Sequence, residues 1–344
     1  MQLLKASENA EVEQRFAACL GGKRGQRGWW MTIDLQKTVQ ALWHGKVLWG
    51  CPMARYSTLR AGGSAAALVE PGSITELADL LRELADKNLQ WLVVGGGSNI
   101  LVSDHGFAGV VLHLGREFAA ISSVAGEGDE VLVTVEAGCS LARLVKWCLE
   151  QELTGLEFVA GIPGSVGGAV VMNAGAWGQE IGSLVKQVTV IDEGGNLIDL
   201  RGDEIPFQYR SWGLGDQVAA RVTFRLKKGT RPEIEATCHD LARRRRETQP
   251  LDKASAGSFF KNPATGPAAG KLIADAGLKG RRVGDAMVSP KHANFLINVG
   301  EASAQDFLQL MRIVQEEVMA LNGVWLEPEV RIIGEGHDSA GAGN

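Results

Sequence analysis

Apolar positions recur at two different spacings along the chain, and the spacing changes from segment to segment. Leu77, Leu80, Leu81 and Leu84 fall three or four residues apart, on one face of a helix. Ser73-Ile74-Thr75-Glu76 precedes them as a capping box, so the pattern predicts a helix over 74–87. Next, Trp91-Leu92-Val93-Val94 is a short apolar run of strand type that stops at Gly95-Gly96-Gly97-Ser98-Asn99. Residues 108–114 and 130–137 read as strands, and 141–152 as a helix with Leu141, Leu144, Val145 and Cys148 on one face. Residues 185–191 and 196–200 flank Asp192-Glu193-Gly194-Gly195, which has the turn chemistry of a hairpin, and 218–226 alternates as a half-exposed strand. A charged helix is expected over 232–247. The last helix, over 304–321, is capped by Ser303, lined by Phe307, Leu310, Met311, Val314, Val318 and Leu321, and ended by Gly323.

This mixture of periods implies α/β or α+β packing. At 344 residues the chain exceeds the roughly 100–200 residues of one domain, so two or three packed units are expected. The composition turns charged after Gly229, which makes Lys227-Lys228-Gly229-Thr230 the best boundary before a C-terminal unit. Residues 1–48 read as an N-terminal extension, with a helix near 32–43 and the basic stretch Lys23-Arg24-Gly25-Gln26-Arg27 as a solvated linker. The small, polar residues from Gly334 onward read as a frayed tail.

Charge and composition narrow the chemistry. A formal net charge of −5 offers no long-range attraction for polyanions, and the nine tryptophans are dispersed rather than interleaved with basic residues, so nucleic acid is disfavoured. No apolar run approaches the about 20 residues of a membrane span, and Glu8, Glu11 and Glu13 interrupt the place of a signal core. Neither export nor membrane insertion is expected. Five cysteines without metal-ligand spacing fit a reducing cytoplasm. The six histidines show no such spacing either, so no metal is expected and His105 and His113 read as structural.

The glycines, 44 in all, gather in blocks, which turns attention to backbone chemistry. In Gly95-Gly96-Gly97-Ser98-Asn99, absent side chains let N–H groups converge on one point, a nest suited to a diphosphate, although a tight turn without a ligand fits the same residues. Ile100 stands where a dinucleotide fingerprint needs glycine, and no lysine follows at P-loop spacing. In Gly161-Ile162-Pro163-Gly164-Ser165-Val166-Gly167-Gly168-Ala169, and at Ala137-Gly138 upstream, the backbone passes close to something, either a flat cofactor ring or a packed strand.

Further strings complete a pattern: Tyr56-Ser57-Thr58-Leu59-Arg60-Ala61-Gly62-Gly63, Asn173-Ala174-Gly175-Ala176, Gly257-Ser258-Phe259-Phe260-Lys261-Asn262-Pro263, Ala269-Gly270-Lys271-Leu272-Ile273, Lys291-His292-Ala293-Asn294-Phe295 and Trp325-Leu326-Glu327-Pro328-Glu329-Val330-Arg331. In order and spacing these resemble the UDP-N-acetylenolpyruvoylglucosamine reductase (MurB) family over roughly residues 50–334. The resemblance implies an α+β protein with a two-part FAD-binding unit of the vanillyl-alcohol-oxidase (PCMH) type and a C-terminal α/β substrate-binding domain. Laid on this chain, the FAD unit covers 49–229, in parts of about 49–114 and 115–229, and the substrate domain 230–334, with 335–344 as the tail. It further implies a cytoplasmic UDP-N-acetylmuramate dehydrogenase of peptidoglycan precursor synthesis, with non-covalent FAD reduced by NADPH and UDP-N-acetylglucosamine enolpyruvate as substrate.

The resemblance also assigns roles. Cofactor contacts fall on Gly95, Gly96, Gly97, Ser98, Asn99, Gly138, Gly161, Gly164, Ser165, Gly168 and Ala169. Hydride addition at C3 of the enolpyruvyl unit builds negative charge at C2 and in the carboxylate, which Arg210 and a protonated Glu329 are placed to stabilise, and Ser258 gives C2 its proton. Tyr209, Asn262, Lys279 and His292 are the implied UDP-sugar contacts. One branch of the family carries a tyrosine on an inserted loop; the only tyrosines here are Tyr56 and Tyr209, so the chain resembles the shorter branch. Taken alone, Arg210 reads as an ion-pair residue, Ser258 as a turn residue and Glu329 as an edge-strand carboxylate. The run 243–246 spans every face of its helix and reads as mostly solvated, the weaker alternative being one arginine aimed at the substrate, with no member singled out as a site. Two other functions use the same residues: an FAD oxidase of another alcohol, which has no need of the Arg210, Ser258 and Glu329 set, and a UDP-sugar-binding protein without flavin.

Overall fold

The computed structural model describes residues 27–334. Residues 23–26 of the basic stretch and the polar tail after Gly334 lie outside them. The first unit begins with α1 (Arg27–Leu42), which starts earlier than the apolar pattern suggested and buries Leu35 and Val39 in the same core as the next helix. Then come β1 (Val47–Pro52), β2 (Ser64–Val69), α2 (Ile74–Asp86), β3 (Trp91–Val94), β4 (Ile100–Val102) and β5 (Phe107–His113). Four of the strands form a sheet in the order β1-β2-β5-β3, parallel except for the antiparallel edge strand β1. Helix α2 covers this sheet with Leu77, Leu80, Leu81 and Leu84, all buried. Its cap departs from a reciprocal box: Ser73 Oγ accepts from Glu76 N–H at 3.1 Å, but Glu76 Oε2 accepts from Gly72 N–H at 2.8 Å.

The second unit is built on an antiparallel sheet. Its elements are β6 (Ile121–Ala125), β7 (Glu130–Glu136), α3 (Leu141–Glu150), β8 (Leu153–Thr154), α4 (Val166–Val171), β9 (Gly175–Ala176), β10 (Gln179–Glu180), β11 (Val185–Ile191), β12 (Leu197–Arg201) and β13 (Val218–Lys228). The strand order is β12-β11-β13-β7-β6, with β8 paired to β13, while β9 and β10 form a separate small hairpin. In the β11–β12 hairpin Asp192 Oδ1 accepts from Asn196 N–H at 2.8 Å, drawing Asn196 into the turn. Val133, Val135, Val188, Val222 and Phe224 point from the sheet onto α3 and the segment around Phe158. Helix α5 (Arg231–Thr248) follows Gly229 and packs back on this unit, against α3 and residues 157–159, through the buried Ile234.

The third unit contains β14 (Ala254–Ser255), α6 (Ala269–Asp275), β15 (Arg282–Val283), β16 (Ala286–Val288), β17 (Leu296–Asn298), α7 (Ala304–Asn322) and β18 (Arg331–Ile333). An antiparallel sheet of order β14-β17-β16-β15 packs on α7, whose Phe307, Leu310, Val314 and Val318 are buried. Ser303 and Asp306 cap α7 reciprocally, and Gly323 ends it at φ +69°, where a Cβ is costly. Leu321, expected on the core face, is instead 61% exposed: it nearly repeats the angular position of Val314, two turns earlier, but lies in a last turn that the buried cluster does not reach. Strand β18 leaves its own unit and pairs in parallel with β4, Arg331 opposite Ile100. A second tie is Asp104, whose carboxylate accepts from the N–H groups of Ala304 and Gln305 at 2.8 Å each. Among the described residues no helix is long and apolar enough to cross a membrane.

Candidate active site

The glycine loop after β3 is wedged between two other segments. Gly97 lies at φ +59°, and a Cβ on it would stand 1.7 Å from Tyr56 O, so the chain around Tyr56-Ser57-Thr58 backs the loop closely; Thr58 N–H also donates to Gly97 O at 3.0 Å. On its other side Gly96 meets the second glycine block, where its Cβ would fall 2.7 Å from Gly164 Cα. Part of the close approach is thus between the two glycine loops themselves. Yet none of the backbone N–H groups of Gly96, Gly97, Ser98 and Asn99 reaches a protein acceptor among the described residues. They border a cavity of about 870 Å³, along with Gly95, Gly164, Ser165, Gly168 and Ala169. A row of unpaired backbone donors opening on a cavity of that size fits the diphosphate of a dinucleotide. Gly96→Ala is expected to force the loops apart at a cost of about 1–3 kcal/mol. A lower melting temperature and less flavin per purified chain would register it, and unchanged values for both would refute it.

Two glycines expected at the cofactor do not line this cavity. A Cβ on Gly138 would meet Leu114 O at 2.7 Å and Phe118 Cβ at 2.8 Å, so its smallness serves chain packing. Gly161, at φ +79°, leaves room for Arg245, whose Cδ would be 3.3 Å from its Cβ.

Arg210, Ser258 and Glu329 all line the same cavity. Arg210 occupies the tip of a turn closed by Gln208 and Ser211, at φ +59°. Its Nε lies 2.9 Å from Glu329 Oε1, and the carboxylate sits off the N–H direction, so the contact is ionic rather than a formed hydrogen bond. Burial pushes the Glu329 carboxyl above the usual range, with the Arg210 guanidinium pulling the other way. Glu329 is brought to Ser258 by backbone pairing: Glu329 N–H donates to Phe259 O at 2.8 Å and Lys261 N–H to Glu327 O at 2.8 Å. Asn294, buried, clamps the same segment by accepting from Phe260 N–H at 3.0 Å and donating to Phe260 O at 2.8 Å. The glycine loop joins this framework, since Asn99 Nδ2 donates to Glu329 O at 3.1 Å and Arg331 N–H to Asn99 O at 3.0 Å. The Ser258 hydroxyl has no protein hydrogen bond among the described residues. It is free to meet a ligand.

Tyr209, Asn262, Lys279 and His292 lie beside the cavity rather than on its wall. Asn262 N–H reaches Tyr209 Oη at a long 3.4 Å, and Asn262 Oδ1 accepts from Ala269 N–H at 3.0 Å. His292 packs edge-on against Phe295, a lining residue, with ring centroids 4.9 Å apart. Burial, and then the charge of Lys279, hold its imidazole below the ordinary value. Both pairs abut α6, where a Cβ on Gly270 would come 3.2 Å from His292 Cε1.

Among the lining residues not singled out from the sequence, two have notable surroundings. Trp177 sits at φ +58° between β9 and β10, with its ring 42% exposed at the cavity. Arg245 is 7% exposed, and among the described residues its Nε and Nη2 have no partner and its guanidinium makes one weak 3.4 Å bond, from Nη1 to Gln249. Burial lowers its affinity for the proton, and no acid among the described residues compensates. Its neighbour Arg243 pairs with Asp240 and Glu247, and Arg244 with Asp240. A buried cation with so little pairing, facing a cavity, has the chemistry to bind an anionic group.

Comparison with known proteins agrees with this geometry. Residues 65–201 match the family described as FAD binding domain, and residues 249–333 that described as UDP-N-acetylenolpyruvoylglucosamine reductase, C-terminal domain. The UDP-N-acetylenolpyruvoylglucosamine reductase of Caldanaerobacter subterraneus subsp. tengcongensis is 42% identical over 305 residues, covering 88% of this chain and 99% of that protein. The chain belongs to the UDP-N-acetylenolpyruvoylglucosamine reductase (MurB) family. Another relative of that name, from Clostridium novyi, is 44% identical over 82% of this chain and 91% of its own length. The crystal structure of the MurB reductase from Thermus caldophilus superposes with a TM-score of 0.71 at 36% identity, covering 84% of this chain and 98% of that one. Membership makes the protein an FAD-binding oxidoreductase of α+β fold.

Proposed function

We propose that the protein reduces UDP-N-acetylglucosamine enolpyruvate to UDP-N-acetylmuramate for peptidoglycan precursor synthesis in the cytoplasm, using NADPH and non-covalently held FAD. In this reading residues 49–229 hold the cofactor, with the loops at 95–99 and 164–169 around its diphosphate, and residues 230–334 supply the substrate side. The observation that carries it is the convergence of Arg210, Ser258 and Glu329 on the cavity that the glycine loops border.

The glycine loops would hold FAD, which after reduction by NADPH would supply hydride chemistry at C3 of the enolpyruvyl unit. The Arg210 fork binds the substrate carboxylate, into which the charge arising at C2 delocalises. Glu329, its carboxyl raised by burial, donates a hydrogen bond to the same developing charge. Ser258 gives its hydroxyl proton to C2; a serine is a weak acid in water, but a fixed donor beside a strongly basic carbon needs position more than acidity. Tyr209, Asn262, Lys279 and His292 are the UDP-sugar contacts of this reading, reached at the cavity's margin.

The experiment that tests the whole reading follows flavin colour in the purified protein. NADPH is expected to bleach it and UDP-N-acetylglucosamine enolpyruvate to restore it. A colourless protein would favour a binding role, and a flavin that the UDP-sugar leaves bleached would favour an oxidase of another substrate.

Arg245 adds a prediction of opposite signs. Arg245→Met removes an uncompensated buried charge, so the melting temperature of the substrate-free protein is expected to hold or rise. The same change removes a charged hydrogen-bond donor worth about 1.5–3 kcal/mol, so KM for NADPH or the UDP-sugar is expected to rise roughly 10–100-fold. Unaltered KM values for both would remove Arg245 from ligand binding.

A further inference from the structure

Asn173 opens the string Asn173-Ala174-Gly175-Ala176, to which the reading above assigns no task. It is 1% exposed, lies two residues beyond the end of α4 and holds φ +40°, a left-handed backbone that asparagine tolerates better than most residues with a Cβ. Its carboxamide is committed to three groups on two other segments, residues 180–182 and Gln208. Nδ2 donates to Gln208 O at 3.0 Å and to Glu180 Oε2 at 2.9 Å, while Oδ1 accepts from Gly182 N–H at 3.0 Å.

The Gln208 bond matters because of what lies two residues on. Gln208 and Ser211 exchange backbone hydrogen bonds of 2.8 and 3.1 Å, leaving Tyr209 and Arg210 at the tip of a closed turn. Arg210 is held there at φ +59°, where arginine is disfavoured, so the surrounding contacts must impose the conformation. The C-terminal limb of the turn is anchored by Trp212 N–H on Val171 O at 3.0 Å, with Trp212 buried beneath. The N-terminal limb is anchored by the Asn173 side chain. Both anchors come from the end of α4 and the residue two beyond it.

We propose that Asn173 is a positioning residue whose carboxamide holds the 208–211 turn so that the Arg210 guanidinium meets Glu329 and the substrate carboxylate; the proposal rests on the reading of Arg210 given above. The group at this position must donate twice and accept once, which a carboxamide does. A carboxylate donates nothing and would face the Glu180 carboxylate and the Gln208 carbonyl.

The test compares N173D, N173D/E180Q and R210K as full-length, FAD-loaded protein, reduced with NADPH and reoxidised by UDP-N-acetylglucosamine enolpyruvate. N173D is expected to slow reoxidation roughly 10²-fold, as an ångström-scale misplacement does, with reduction by NADPH unchanged. The loss is expected to ease as pH falls, because protonating the new carboxyl returns one donor; a merely structural defect has no such recovery. N173D/E180Q covers the case in which N173D does not fold. There the new glutamine amide donates to the new carboxylate and secures β10, while Gln208 O still lacks its donor, so reoxidation is expected to stay slow. Wild-type reoxidation in N173D/E180Q, or equal loss of both half-reactions, overturns the proposal. R210K separates it from the reading beneath: a wild-type rate in R210K sinks the role of Arg210 itself, whereas a slow R210K beside a fast N173D/E180Q sinks only the positioning by Asn173.

Discussion

Ser258→Ala is expected to leave bleaching of the flavin by NADPH intact while slowing its recovery with the UDP-sugar by about 10²–10⁴-fold. Ser258 is half-buried and lines the cavity, and its hydroxyl holds no partner among the described residues, so its removal breaks none of their hydrogen bonds. Its neighbours Phe259 and Phe260 are buried and clamped by Asn294, which keeps the backbone in place whatever side chain stands at 258. Stopped-flow absorbance of the two half-reactions is the measurement. Equal losses in both would mean that the serine has no part in delivering a proton to substrate.

Glu329→Gln carries the second large effect. The amide is nearly isosteric and still donates a hydrogen bond, but its N–H is a weaker donor than a carboxylic O–H toward developing negative charge, and it cannot titrate. Reoxidation by the UDP-sugar is expected to slow about 10²–10³-fold, with reduction by NADPH far less affected. The pH dependence follows from the direction of the shift. Because burial raises the Glu329 carboxyl, its protonated form persists above the ordinary carboxylate range and is lost as pH rises through the raised value. Wild-type reoxidation should therefore decline on that alkaline side, and in E329Q the decline should vanish. A wild-type pH profile in E329Q would place the titrating group elsewhere, and unchanged turnover would remove Glu329 from the chemistry.

How far the sequence foretold this architecture depended on the local signal. Helices α2 and α7 were legible because Leu77 to Leu84 and Phe307 to Val318 repeat at helical spacing between recognisable caps, and the β11–β12 hairpin because Asp192 to Gly195 dictates its turn. Strand β4 was not legible: three apolar residues after a glycine run carry no period, and the strand exists only because residue 331 onward lies beside it. Arg245 was hidden for a different reason. Helix α5 has almost no apolar stripe to orient it, so nothing local distinguished the arginine that turns inward from the three beside it. The peripheral position of Lys279 and His292 likewise depends on the packing of α6, which no local pattern encodes. The convergence of Arg210, Ser258 and Glu329 came into view through family resemblance, since residues separated by up to 119 positions share no sequence period (329 − 210).

The parallel pairing of β4 with β18 has a consequence during synthesis. A ribosome releases the glycine loop and its sheet long before residues 327–333 emerge, so the growing polypeptide carries Asn99 and Ile100 without their partners. Domains fold in the order they emerge, and here the earliest one stays incomplete until residues 331–333 have been added. Any nascent or prematurely terminated product that stops short of Glu329 would leave that strand edge and the Asn99 carboxamide without their partners.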